Sequence, residues 1–210
     1  MKLREIAFKG AGYFDQVVRV TTVDMPRVEW FGKKYHEQAV LHVGCADSGF
    51  GLTDLHEALA KSVRKLGGVD PDVEALGKLA QKVPGDYFAS VGVASCAETP
   101  WSVLLAPAVI EHVGDPNEFL WDLFAVPSAA EIMVTAPNCF IGGTRGFGLW
   151  DAISAAGIWR ETVHPDHRRW YSPYTLLNEV RPFIKEEDDV EVFLLENGTQ
   201  VGVAVRPQKR

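Results

Sequence analysis

The chain has 210 residues, 28 acidic against 21 basic side chains, a formal net charge of -7, 47% hydrophobic residues and three cysteines. That balance excludes a disordered, collagenous or disulfide-built chain, and one hydrophobic core can serve residues 1–210 as a single domain. The acidic surplus gives no cationic face for duplex nucleic acid, no apolar run nears the roughly 20 residues of a membrane helix, and no leader pattern opens the chain, so a cytoplasmic protein is expected.

Residues 39–43 (AVLHV) run apolar into Gly44, the pattern of a strand buried on both faces. Leu55, Leu59, Val63 and Leu66 then recur at helical spacing, with Asp54 and Glu57 in capping-box positions. A second short strand is expected at 67–69, followed by a helix capped by Asp72 whose apolar face is Val73, Leu76, Ala80 and Val83. Residues 86–93 should hold a third strand, and 101–106, stopped by Pro107, a fourth. Asp115, Pro116 and Glu118 open a helix carrying Phe119, Leu120, Leu123 and Phe124, and 131–136 reads as a fifth strand. Ser172 and Pro173 start another helix through Leu176 and Leu177, and the acidic run 186–189 marks a solvated turn. Strand-like runs at 190–196 and 199–205 flank Asn197 and Gly198, the pair suited to a two-residue hairpin. Residues 1–37 form an N-terminal extension, and 140–171 is an irregular insertion or lid.

Strands alternating with helices imply an α/β, doubly wound, Rossmann-like sheet, mostly parallel and ending in an antiparallel hairpin. Ligands on such sheets bind at the carboxyl ends of the strands. There the run V-L-H-V-G-C-A-D-S-G at 40–49 offers small residues that let a ligand approach the backbone. Asp70, ending the next strand, supplies a carboxylate suited to both hydroxyls of a ribose. Together they point to a nucleoside ligand; the G-x-G-x-x-G spacing of a dinucleotide site is absent, which disfavours NAD.

These motifs, with W-S-V-L-L-A-P-A-V-I-E-H-V, I-M-V-T-A-P-N and H-P-D-H-R-R-W-Y-S-P-Y-T-L following in order, resemble the class I S-adenosylmethionine-dependent methyltransferases over roughly residues 38–206. The strand-four E-H-V and the late H-x-x-W-Y-S-P-x-T-L are similar to the small-molecule and saccharide branch. The resemblance implies a seven-stranded sheet with an antiparallel last strand and S-adenosyl-L-methionine as cofactor. It implies that Gly44, Cys45 and Ala46 line the methionine part, with Asp47 beside the turn, Asp70 on the ribose and the Ala106 carbonyl near the ammonium. His42 stands where the family carries an acid, Ala46 and Ser48 stand at its second and third glycine positions, and Ser90 lies where the acid for adenine would fall. These departures motivate a second hypothesis, a non-catalytic binding or assembly module on the same fold.

The reaction expected is methyl transfer to a small-molecule acceptor, at an oxygen of a saccharide-like or other metabolite. A hydroxyl acceptor needs its proton removed, and His112 and His167 are the candidate bases, because an imidazole titrates near neutral pH. Glu111, on an extended segment, would point away from His112 and take a structural role. His164 and His167 are interrupted by Pro165 and complete no ligand set; Cys45, Cys96 and Cys139 form no C-x-x-C pair, so no metal is expected. Gly142, Gly143, Gly146 and Gly148 around Arg145 suggest a lid. Phe147, Trp150, Trp159, Trp170 and Tyr171 suggest a subcore or an acceptor wall. With the extension, that insertion should close over the acceptor. An acidic domain with exposed tryptophans is also compatible with a homodimer.

Overall fold

A computed structural model describes residues 5–7, 14–16, 18–46, 53–96, 100–140 and 165–208. The two shortest pieces, β1 (Glu5–Ala7) and β2 (Phe14–Gln16), pair antiparallel with each other. The remaining strands are β3 (Thr21–Val23), β4 (Ala39–Val43), β5 (Lys65–Val69), β6 (Asp86–Phe88), β7 (Val103–Pro107), β8 (Glu131–Pro137), β9 (Asp189–Leu195) and β10 (Gln200–Arg206). They form one sheet in the order β3-β9-β10-β8-β7-β4-β5-β6, in which β10 runs antiparallel to both its neighbours. Seven of these strands answer to the sheet expected from the sequence. The eighth, β3, joins the β9 edge in parallel, so part of the N-terminal extension belongs to the sheet.

The helices are α1 (Arg27–Lys34), α2 (Thr53–Ala60), α3 (Val73–Ala80), α4 (Val91–Ser95), α5 (Pro116–Phe124) and α6 (Pro173–Val180). Period-two alternation along the central strands divides the core in two. Val40, Val103, Leu105 and Met133 pack with Phe31 and Tyr35 of α1, Leu55 and Leu59 of α2, and Leu76 and Leu79 of α3. Leu41, Leu104, Ile132 and Val134 pack on the other face with Ala94 of α4, Leu120 and Leu123 of α5, and Leu176 and Val180 of α6. Such two-sided burial explains why the strands read as continuous apolar runs.

Local chemistry sets the helix starts. Asp72 accepts from the Ala75 amide, Asp115 from that of Asn117, and Ser172 forms a capping box with Thr175. Four expectations shift. Helix α2 ends at Ala60, so Leu66, expected on its apolar face, lies in β5. The buried face of α3 is Ala75, Leu76 and Leu79 with Val83 following, while Val73 and Ala80 are exposed, because the helix is rotated about one residue from the predicted register. The third strand stops at Phe88, since the Ser90 side chain accepts the Val93 amide and turns 91–95 into a helix. The last hairpin closes through four residues, with Leu195 opposite Gln200 and with Glu196, Asn197 and Gly198 all at positive φ.

Candidate active site at the carboxyl ends of the central strands

The chain winds from β4 toward β5 on one side and from β7 toward β8 on the other, so the sheet reverses direction between β4 and β7. Their ladder ends at His42 opposite Leu105, whereas β7 stays paired to β8 as far as Pro107. The two strands separate beyond that point, which is where open α/β sheets bind ligands.

Gly44 turns the chain at the end of β4. Its φ is +75°, and a Cβ there would lie 2.4 Å from Cγ2 of Val109, which follows β7, so both conformation and space require glycine. The Val69 carbonyl accepts the amides of Gly44 (2.8 Å) and Cys45 (3.3 Å), fixing the turn against β5. Asp70, just past β5, accepts the Ala46 amide on Oδ2 and the Asp72 amide on Oδ1, each at 3.0 Å. The acid thus ties the β4 turn to the start of α3. Cys45 is buried, and burial, with the nearby Asp70 charge, pushes its thiol up to about 12. Its sulfur lies where a Cβ on Gly68 would be, 2.6 Å away, so that glycine makes room for it. Ala106 is buried within β7, and Ser90 caps α4 with an exposed hydroxyl.

His42 is buried, and its Nδ1 lies 3.1 Å from Nδ1 of His56 on α2; His56 Nε2 lies 3.1 Å from the Tyr87 hydroxyl. Tyr87 donates to the Val83 carbonyl at 2.7 Å, so its oxygen accepts from His56 Nε2 and the tautomers follow in sequence. His42 donates through Nδ1 and His56 accepts. Burial holds both rings neutral, His42 well below its ordinary pKa, with added repulsion from His56 and Arg27, and His56 at about 4. His56 and Tyr87 escaped the sequence reading. The one signal for His56 was its place beside Leu55 on a helix that must bury one face.

The two candidate bases come together. The rings of His112 and His167 meet edge to face with centroids 4.8 Å apart. Their segments are laced by the Arg168 amide to the Glu111 carbonyl (2.8 Å) and by Arg169 to the carbonyls of Val113 (2.7 Å) and Gly114 (3.0 Å). Tyr171 continues the lacing, accepting the Cys139 amide at 2.8 Å. Glu111 departs from expectation. It lies in a turn, since His112 donates its amide to Val109, and its Oε1 is 3.9 Å from His112 Nε2 instead of facing away. Glu111 is 1% exposed, neither carboxyl oxygen has a hydrogen-bond partner among the described residues, and burial pushes its pKa up to about 8. Ligand atoms of Glu111, His112 and His167 all lie within 4.8 Å of one another, a grouping across distant residues that spacing along the chain cannot display.

Asp47, Ser48, His164 and the glycines and aromatics expected at 142–159 lie outside the described residues. Trp170 is described and 43% exposed, whereas Tyr171 is buried. Among the described residues no helix is long and apolar enough to cross a membrane.

No protein-family model matches the chain, and no curated protein matches it by sequence. Solved structures do. A SAM dependent methyltransferase from Aquifex aeolicus superposes with a TM-score of 0.54 at 13% identity, covering 85% of this chain and 88% of that one. The DhpI–SAH complex superposes with a TM-score of 0.51 at 12% identity, covering 81% and 77%. A chain of the Pnkp1/Rnl/Hen1 RNA repair complex gives 0.57 at 13%, covering 86% of this chain and 40% of that one. With the β6-β5-β4-β7-β8-β10-β9 order and its single antiparallel strand, these superpositions show that the chain has the class I S-adenosylmethionine-dependent methyltransferase fold.

Proposed function

We propose that the protein is an enzyme that transfers the methyl group of S-adenosyl-L-methionine to an oxygen of a small-molecule acceptor, saccharide-like or another metabolite. The observation that carries this reading is the reversal of the sheet between β4 and β7, where the Gly44 turn, next to the Asp70-held Ala46, packs against Val109, three residues before His112 of the His112–His167 pair. A similar fold holding S-adenosylhomocysteine supports the cofactor.

The residues fit the cofactor. Each Asp70 oxygen accepts one amide and keeps a further lone pair, enough for a ribose diol. Gly44, Cys45 and Ala46 would lie along the methionine part, with Asp47 beside them and the Ala106 carbonyl toward its ammonium. Neutral His42 would offer hydrogen bonding without the charge attraction of a carboxylate. Ser90, whose oxygen accepts the Val93 amide, would donate its proton toward adenine.

Bound S-adenosylmethionine supplies a methyl already activated on a sulfonium. The chain need only align the acceptor oxygen in line with it, exclude water and accept the acceptor proton. His112 and His167, whose rings are in contact, would do the last. Residues 1–37 and 140–171 would close over the acceptor.

Calorimetric titration with S-adenosylmethionine and S-adenosylhomocysteine tests the reading. Micromolar binding is expected, followed by S-adenosylhomocysteine release in a panel of hydroxylated acceptors. Absence of binding up to millimolar concentration overturns it in favour of a non-catalytic binding module. Activity on an RNA terminus alone would replace the small acceptor with a macromolecular one.

A further inference from the structure

Both oxygens of Glu111 are buried, and among the described residues neither receives a hydrogen bond. Buried polar groups are almost always satisfied, so an unsatisfied carboxylate points to a partner that binds there. Its nearest ligating neighbours are two imidazoles. Its Oε1 stands 3.9 Å from Nε2 of His112, and with His167 the three ligand atoms fall within 4.8 Å of one another. His167 is not there by accident of a loose loop, because Arg168 and Arg169 tie its segment to the carbonyls of Glu111, Val113 and Gly114.

We propose that Glu111, His112 and His167 hold a divalent transition-metal ion. Two imidazoles and a carboxylate suit manganese, iron, cobalt, nickel or zinc, whereas magnesium and calcium prefer an all-oxygen set. Ligands roughly 2.1 Å from one ion stand about 3.0–3.4 Å apart, so the set must contract by about an ångström. Side-chain rotation of the two histidines, both half-buried, supplies that movement. The positive charge of Arg27, which already acts on Glu111, would oppose the ion and limit its affinity. Three protein ligands leave coordination positions open toward the crevice. The consequence for chemistry rests on the methyl-transfer reading. An acceptor hydroxyl bound to the ion would lose its proton to water more readily, and His112 and His167 would serve as ligands instead of bases.

The test uses the full chain, dialysed against chelator and titrated separately with Co²⁺, Mn²⁺ and Zn²⁺ by calorimetry, with the visible absorption of Co²⁺ reporting its ligands. One equivalent should bind at micromolar Kd. Glu111→Gln and His167→Gln should each weaken binding by more than about tenfold, with the metal-free melting temperature preserved. No stoichiometric binding, or equal binding by both variants, overturns the site. S-Adenosylhomocysteine titrated into the same samples separates the two ideas. Ion binding without cofactor binding supports the metal site while removing methyl transfer; cofactor binding without ion binding does the reverse.

Discussion

Two glutamates are buried at opposite ends of the same sheet, and they are treated in opposite ways. Glu131 opens β8 at the amino end and is fully engaged. Its carboxylate accepts from Tyr35 at 2.7 Å and from Arg206 Nε at 2.7 Å, with Lys34 at 2.9 Å. Burial alone would raise its pKa, but the Tyr35 and Lys34 hydrogen bonds and the charges of Lys34 and Arg206 hold it below the usual range. Arg206 also reaches Asp189 at 2.7 Å and Glu191 at 3.2 Å, tying the starts of β8 and β9 to the end of β10. Glu111, at the carboxyl end, feels the Arg27 charge but receives no hydrogen bond among the described residues. The Glu131 carboxylate is thus satisfied by internal partners and the Glu111 carboxyl is not.

The strongest challenge to that contrast is Glu131→Ala. Removing it takes the carboxylate from Lys34 and Tyr35 and leaves Arg206 with only Asp189 and Glu191, so urea denaturation should show a loss of about 3–5 kcal/mol, the cost of breaking a buried charge pair from one side. A loss below about 1 kcal/mol would mean the amino-end network holds nothing together. The next effect is on acid stability. The folded pKa of His56, about 4, lies below its ordinary 6.5, so its neutral form is favoured by folding. That stability is complete above pH 6.5 and is lost as pH falls toward 4, because the unfolded chain takes up a proton the fold refuses. At about 1.36 kcal/mol per unit, the loss is about 3 kcal/mol. Glu131, held below its ordinary value, adds a loss of the same sign at lower pH. In melting curves from pH 7 to 4, His56→Gln should flatten the slope between pH 6.5 and 4.5 by about one proton.

Asp70→Ala follows in size. Cofactor affinity should fall by roughly 1.5–3 kcal/mol in calorimetry, the scale of charge-assisted hydrogen bonds. An unchanged Kd would remove the ribose assignment. The smallest expected effect sharpens the comparison most. Glu111→Gln should leave stability within about 1 kcal/mol of wild type, since no hydrogen bond is lost and a neutral amide of similar size replaces a carboxyl that burial keeps largely protonated at neutral pH. If its denaturation midpoint instead falls as far as that of Glu131→Ala, the two ends of the sheet are alike and Glu111 is structural.

The sequence by itself determined the alternation of elements. Apolar runs such as 39–43 and 131–136 had to be buried on both faces, and Asp72, Asp115 and Ser172 had to start helices, because these signals act within a few residues. It also marked Gly44 and Asp70, whose roles follow from their positions at strand ends. It did not show β3, three residues long and paired with β9, some 170 residues away. Nor did it show that Glu111 turns back toward His112, or that His167 returns to both. Those contacts depend on where a turn after β7 meets a segment beyond β8, and on lacing by Arg168 and Arg169 that no local periodicity encodes. Local chemistry decided which segments are strands and helices; which polar groups share a buried space was decided by the packing of the sheet's carboxyl edge.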